Sequence, residues 1–163
     1  MNYASRLCLA LLFAVSSAAH AAGAADMITA VDPYVRLMPP GAMATAAFVT
    51  LRNSGDRDIK LVKVESAAAK TVELHTHIND GGVMRMRQVA AIEIKAKSQT
   101  TLEPGSFHIM MINPVAMKEG DRIAIALGFD DGSSKKIEAV VSRPGVAPAA
   151  AAPMDHSEHQ HMH

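Results

Sequence analysis

Tryptophan is absent from the 163 residues, aromatic side chains make up 4% of them, and a single cysteine stands at position 8. A core without large rings must be filled by Val, Ile, Leu, Met and Ala. Cys8 lies within the apolar run Leu7 to Val15, which follows Arg6 and precedes the small residues Ser16 to Ala21. A positive residue, an apolar stretch and an A-x-A box at Ala19-His20-Ala21 form the pattern of a secretory signal, so residues 1–21 are expected to be removed together with Cys8. Such a mature chain has no thiol, which excludes disulfides, thiolate metal ligands, iron–sulfur clusters and cysteine nucleophiles. The apolar run falls short of the ~20 residues of a membrane-spanning helix, and no later segment qualifies, so the mature protein is expected not to be membrane-embedded. The formal net charge is +0, with no basic stripe, which leaves nucleic-acid binding without a basis.

What is present from Met27 to Val141 is short alternating or β-branched segments, separated by Gly, Pro, Asn and Asp. They predict strands near Ile28–Asp32, Ala46–Asn53, Ile59–Ser66, Thr71–His77, Val83–Gln88, Ile92–Ile94, Ser98–Leu102, His108–Ile112, Arg122–Phe129 and Lys135–Val141. No window carries a convincing helical face. Asn79-Asp80-Gly81-Gly82 predicts a tight hairpin, because glycine accepts the positive φ such turns require. An all-β sandwich or barrel is therefore expected over residues 26–142.

The three histidines of that domain, His75, His77 and His108, fall within thirty-six residues that also hold Met84, Met86 and Met110, with Met111 directly after them. Taken singly, each Met reads as core filler and each His as an exposed strand residue. Together they offer imidazole and thioether donors, the ligands of a soft ion, most naturally Cu(I). Strand parity places His108 and Met110 on one face, as it does His75 with His77 and Met84 with Met86. The hairpin then folds the His75 strand against the Met86 strand. Met38 and Met43, flanking Pro39-Pro40-Gly41, read as packing residues.

The spacing His75-x10-Met86-x21-His108-x-Met110 resembles the motif of the periplasmic PCuAC copper chaperones. The blocks Tyr34-Val35-Arg36, Pro39-Pro40-Gly41, Ala46–Asn53, Val72–His75, Val83–Met86 and Leu102–Met110 are similar to that family as well. The resemblance implies a cupredoxin-like Greek-key β-sandwich that is not an enzyme. It implies that His75, Met86, His108 and Met110 hold one Cu(I), to be passed to the copper-centre subunit of cytochrome c oxidase or to a thiol-bearing assembly factor. The chain departs from relatives in having Thr76-His77 where many carry Met after the first His, which leaves open whether His77 is an extra or alternative ligand. A monomer is expected, with a copper-bridged dimer as the alternative.

Residues 143–153 are rich in Ala and Pro and read as a linker. Met154, His156, His159, His161, Met162 and His163 follow within ten residues and suit an auxiliary site for Cu(II), with the thioethers available to Cu(I). Three rival readings compete with the carrier. A copper-dependent redox enzyme would use His20 as an amino-terminal brace after cleavage behind Ala19; a storage or resistance protein would hold copper without delivering it; a blue-copper carrier would need the Cys thiolate that is missing. A hydrolase is excluded more simply, by the lack of a nucleophile elbow or zinc-protease helix.

Overall fold

The computed structural model describes residues 23–143; the signal with Cys8 and His20, the rest of the linker after Arg143, and the His/Met tail lie outside the described residues. One helical turn, α1 (Ala24–Met27), leads into β1 (Ile28–Arg36), β2 (Ala44–Asn53), β3 (Ile59–Glu65), β4 (Ala69–Asp80) and β5 (Val83–Gln88). The second half supplies β6 (Ile92–Ile94), β7 (Gln99–Leu102), β8 (His108–Pro114), β9 (Arg122–Phe129) and β10 (Ser134–Ser142). The strands are bonded in the order β5-β4-β8-β2-β1-β10-β9-β3-β6, with β7 also on β2. Among the described residues only β1 and β10 pair in parallel. Strands distant in sequence, such as β4 and β8 or β3 and β9, are neighbours.

Alternation explains the layers. Along β2 the odd residues Thr45, Ala47, Val49, Leu51 and Asn53 are buried in the interior, where Leu51 meets Ile28, Leu61, Ile92, Ile94, Ile109 and Leu127 in one aliphatic cluster. The even residues face outward, and among them only Phe48 is buried. Burying each large aliphatic side chain stabilises the fold by ~1.5–3 kcal/mol, which offsets the lack of rings.

Two features differ from the expected boundaries. β1 does not stop at Asp32 but runs on to Arg36. Pro33 has no N–H to donate, and such residues sit at strand ends or bulges. Here the chain takes the second solution: Asp32 adopts φ +49°, and the register with β2 shifts between Val31 and Tyr34. The strand then continues with its faces exchanged, so Val35 enters the core while its neighbours Tyr34 and Arg36 lie on the outer side with Phe48. β4 is also longer than expected at both ends, running from Ala69 to Asp80.

Candidate metal centre

The hairpin at Asn79–Gly82 forms as its sequence indicates. Asp80 pairs with Val83, Gly81 and Gly82 have φ +60° and +88°, and the Gly82 N–H donates to Asn79 Oδ1 at 2.8 Å. This turn sets the register of β4 on β5 and places His77, not His75, directly opposite Met86; His75 lies opposite Gln88. On the other edge of β4, His75 faces His108 and Glu73 faces Met110. Met110 in turn faces Ala46 of β2. One outer face of β5-β4-β8-β2 thus carries all three histidines with Met86 and Met110. Arg85 points the other way and forms an ion pair with Asp80 at 3.1 Å, as befits an ordinary strand residue.

A turn over residues 103–107 roofs this face. The Ser106 N–H donates to Glu103 O at 3.0 Å and the Glu103 N–H to Phe107 O at 2.9 Å, with Gly105 at φ +84°. Beneath it, His108 is only 2% exposed although it points away from the core. Phe48 flanks His108 with ring centroids 6.4 Å apart, and the Arg36 guanidinium covers Phe48 at 5.2 Å. A cavity of about 300 Å³ remains, with His77, Met86, His108 and Met110 on its walls together with Met38 and Arg36. Met43 stays 72% exposed and borders a separate groove.

The hydrogen bonds define which ring nitrogens are free. A carbonyl or carboxylate oxygen only accepts, so the nitrogen facing it carries the proton. His108 donates from Nδ1 to Ser106 O at 3.0 Å, leaving an Nε2 lone pair that is buried and has no partner. His75 donates from Nε2 to Glu73 Oε2 at 2.8 Å, leaving Nδ1 equally buried and unpartnered. Burial pushes His108 below the usual histidine range, against the pull of the Ser106 bond, and nearby His77, His75 and Arg36 add to the lowering. The ring is therefore held neutral near pH 7. Of three buried side-chain polar atoms without partners among the described residues, two are these imidazole nitrogens on rings 5.8 Å apart. A buried nitrogen fixed through its other ring atom is the usual state of a metal-ligating histidine.

Among the described residues no three His, Cys, Asp or Glu side chains group to hold a metal ion. The further soft donors on the cavity wall are the thioethers of Met38, Met86 and Met110. Such a set fits a soft monovalent ion better than zinc or magnesium. Sequence reasoning had given no role to Glu73 or to the Ser106 carbonyl. Parity at i and i+2 could have placed Glu73 beside His75; nothing in the sequence reveals a backbone carbonyl folded over a strand.

The fold and the cavity define an all-β, cupredoxin-like sandwich with an imidazole and thioether site on its outer face. The chain belongs to the family described as "Putative lipoprotein LpqE-like", whose model matches residues 28–141. It is similar to the Leifsonia xyli protein Lxx21020 (32% identical over 99 residues) and the Rickettsia prowazekii protein RP573 (33% over 100). Each match covers 60% of this chain but only 60% and 55% of those relatives' own lengths. Among solved structures it resembles Cu(I)-bound DR1885 from Deinococcus radiodurans, at 30% identity and TM-score 0.59 over 80% of this chain and 86% of that one. It also resembles the copper-bound PCuAC domain from PmoF2, at 24% identity and TM-score 0.61 over 72% and 94%. No helix among the described residues is long and apolar enough to cross a membrane.

Proposed function

We propose that the protein is a periplasmic copper carrier, which takes up one Cu(I) through His75, Met86, His108 and Met110 and releases it to an assembling copper enzyme. The observation that carries this reading is the unpartnered Nε2 of His108, a ring that lines one cavity with Met86 and Met110, together with the equally buried and unpartnered Nδ1 of His75 on the ring 5.8 Å away. The likeness to a Cu(I)-bound structure at 30% identity supports it. Neutral donors favour Cu(I) over Cu(II) and hold it less firmly than thiolates would. Transfer to a thiol-bearing assembly factor, or to the copper-centre subunit of cytochrome c oxidase, then runs downhill. The domain needs no catalytic group for this, since ligand exchange moves the ion without changing its charge.

X-ray absorption on the Cu(I)-loaded chain tests the ligand set. Copper scattering from both sulfur and nitrogen neighbours is expected; a shell of nitrogen and oxygen alone overturns the proposal. The tail residues Met154, His156, His159, His161, Met162 and His163 are proposed as an auxiliary site. Removing residues 154–163 is expected to abolish Cu(II) binding measured by equilibrium dialysis, while one Cu(I) still binds. Loss of both would place the tail within the primary site.

Glu73 should matter although it is not one of the proposed ligands. Outer partners of ligating histidines typically contribute 10–100-fold in metal affinity. Glu73→Ala is therefore expected to weaken Cu(I) binding by about that factor, measured by competition with a chromophoric chelator, with thermal stability little changed. Unaltered affinity would show that His75 is not oriented for binding by this bond.

A further inference from the structure

The three imidazoles on the outer face are not equivalent. His75 and His108 are each fixed by a hydrogen bond of 2.8 and 3.0 Å. The contact of His77 is weaker: its Nδ1 lies 3.5 Å from Ser106 O, a carbonyl that already accepts from His108. A contact at that distance contributes little. The same ring stands directly opposite Met86 and 5.1 Å from the His108 ring, and it lines the cavity with both.

Exposure orders these donors from outside to inside. Met86 is 45% exposed on β5, an edge strand whose residues are all exposed. His108 is buried. His77 bridges the two levels, loosely held and partly exposed, next to the fully exposed end of the hairpin.

We propose, on the reading that this site carries Cu(I), that His77 is the exchange ligand, which with Met86 forms an outer position through which the ion enters and leaves the inner one. In the release direction a Cu–N bond to His77 forms while the bond to His75 breaks, and Met86 stays bound throughout. Copper remains Cu(I), no electron moves, and the exchange of one imidazole for another involves no proton transfer. The ion then rests where an incoming thiolate can reach it. The locked pair provides holding, and the unlocked ring provides speed.

The test uses the full chain with the four tail histidines changed to Ser and the two tail methionines to Leu, so that only the domain binds. Cu(I) affinity is measured by competition with bicinchoninate, and the rate of copper removal by excess bicinchoninate is followed by stopped flow. His77→Ala should leave affinity within about threefold of the parent and slow removal by about tenfold or more. His75→Ala should do the reverse and weaken affinity first. His77→Met, which restores a soft donor on the same face, should recover fast removal; a purely structural role for His77 would not be rescued in this way. An unchanged rate in His77→Ala overturns the proposal, and so does a fall in affinity equal to that of His75→Ala, which would make His77 a resident ligand. If the parent chain binds no Cu(I), the carrier reading itself fails, whatever the rates.

Discussion

Changing Met86 and Met110 together to leucine should lower Cu(I) affinity by at least about 100-fold, more than the loss of an outer hydrogen-bond partner does. The argument rests on what remains. With both thioethers gone, the proposed ligand set keeps its imidazoles and loses its sulfur, and nitrogen donors alone suit Cu(II) better than Cu(I). Leucine is close to methionine in volume, and exchanges of this kind usually cost under ~1.5 kcal/mol of stability, so the fold should survive. Met86 is half-exposed in any case. The measurement is chelator competition under reducing conditions, with circular dichroism to confirm the strands. The same variant should shift its preference toward Cu(II). Wild-type Cu(I) affinity in the double variant would eliminate the site.

The largest effect on stability should come from Leu51→Ala. Leu51 is 0% exposed in the second half of β2, the strand that bonds to β1, β7 and β8. Truncating a buried leucine removes its transfer free energy and leaves a cavity, for a loss of about 2–5 kcal/mol. For a domain of this size that corresponds to a fall in Tm of roughly 10–20 °C. Val62→Ala, at a 41% exposed position on β3, is the control and should change stability by less than about 0.5 kcal/mol. Calorimetry on both variants checks the pair. A Leu51→Ala loss no greater than that of Val62→Ala would mean the core does not centre on β2.

Much of the fold was legible because alternation and turn residues agree with one another. The segments of β2, β3, β5, β6, β9 and β10 lie within a residue or two of where their patterns place them. The Asn79–Gly82 turn could be read because two consecutive glycines supply the two positive φ angles. The cross-strand partner of Met86 could not be read so directly. Parity assigns both His75 and His77 to the correct face, but it does not say which of them meets Met86; that follows from the turn being two residues long, with Asp80 opposite Val83. Burial of His108 was likewise invisible, since it depends on the residue 103–107 turn folding across the strand. The continuation of β1 past Asp32 was not legible either, because the remedy for the missing donor of Pro33 is set by the neighbouring strand and not by the local sequence.

The interruption at Asp32-Pro33 has a consequence for how this chain can change in length. A surface loop tolerates the gain or loss of a residue, because its ends stay where they were. Here one residue acts as an indexing step for everything on β1 after it. Deleting it would turn Val35 to the outside and drive Tyr34 and Arg36 into the aliphatic interior, stripping the cover from Phe48 and His108. The position behaves less like a linker than like a reading frame, so a single-residue deletion there should damage the metal-binding face more than a substitution at either residue.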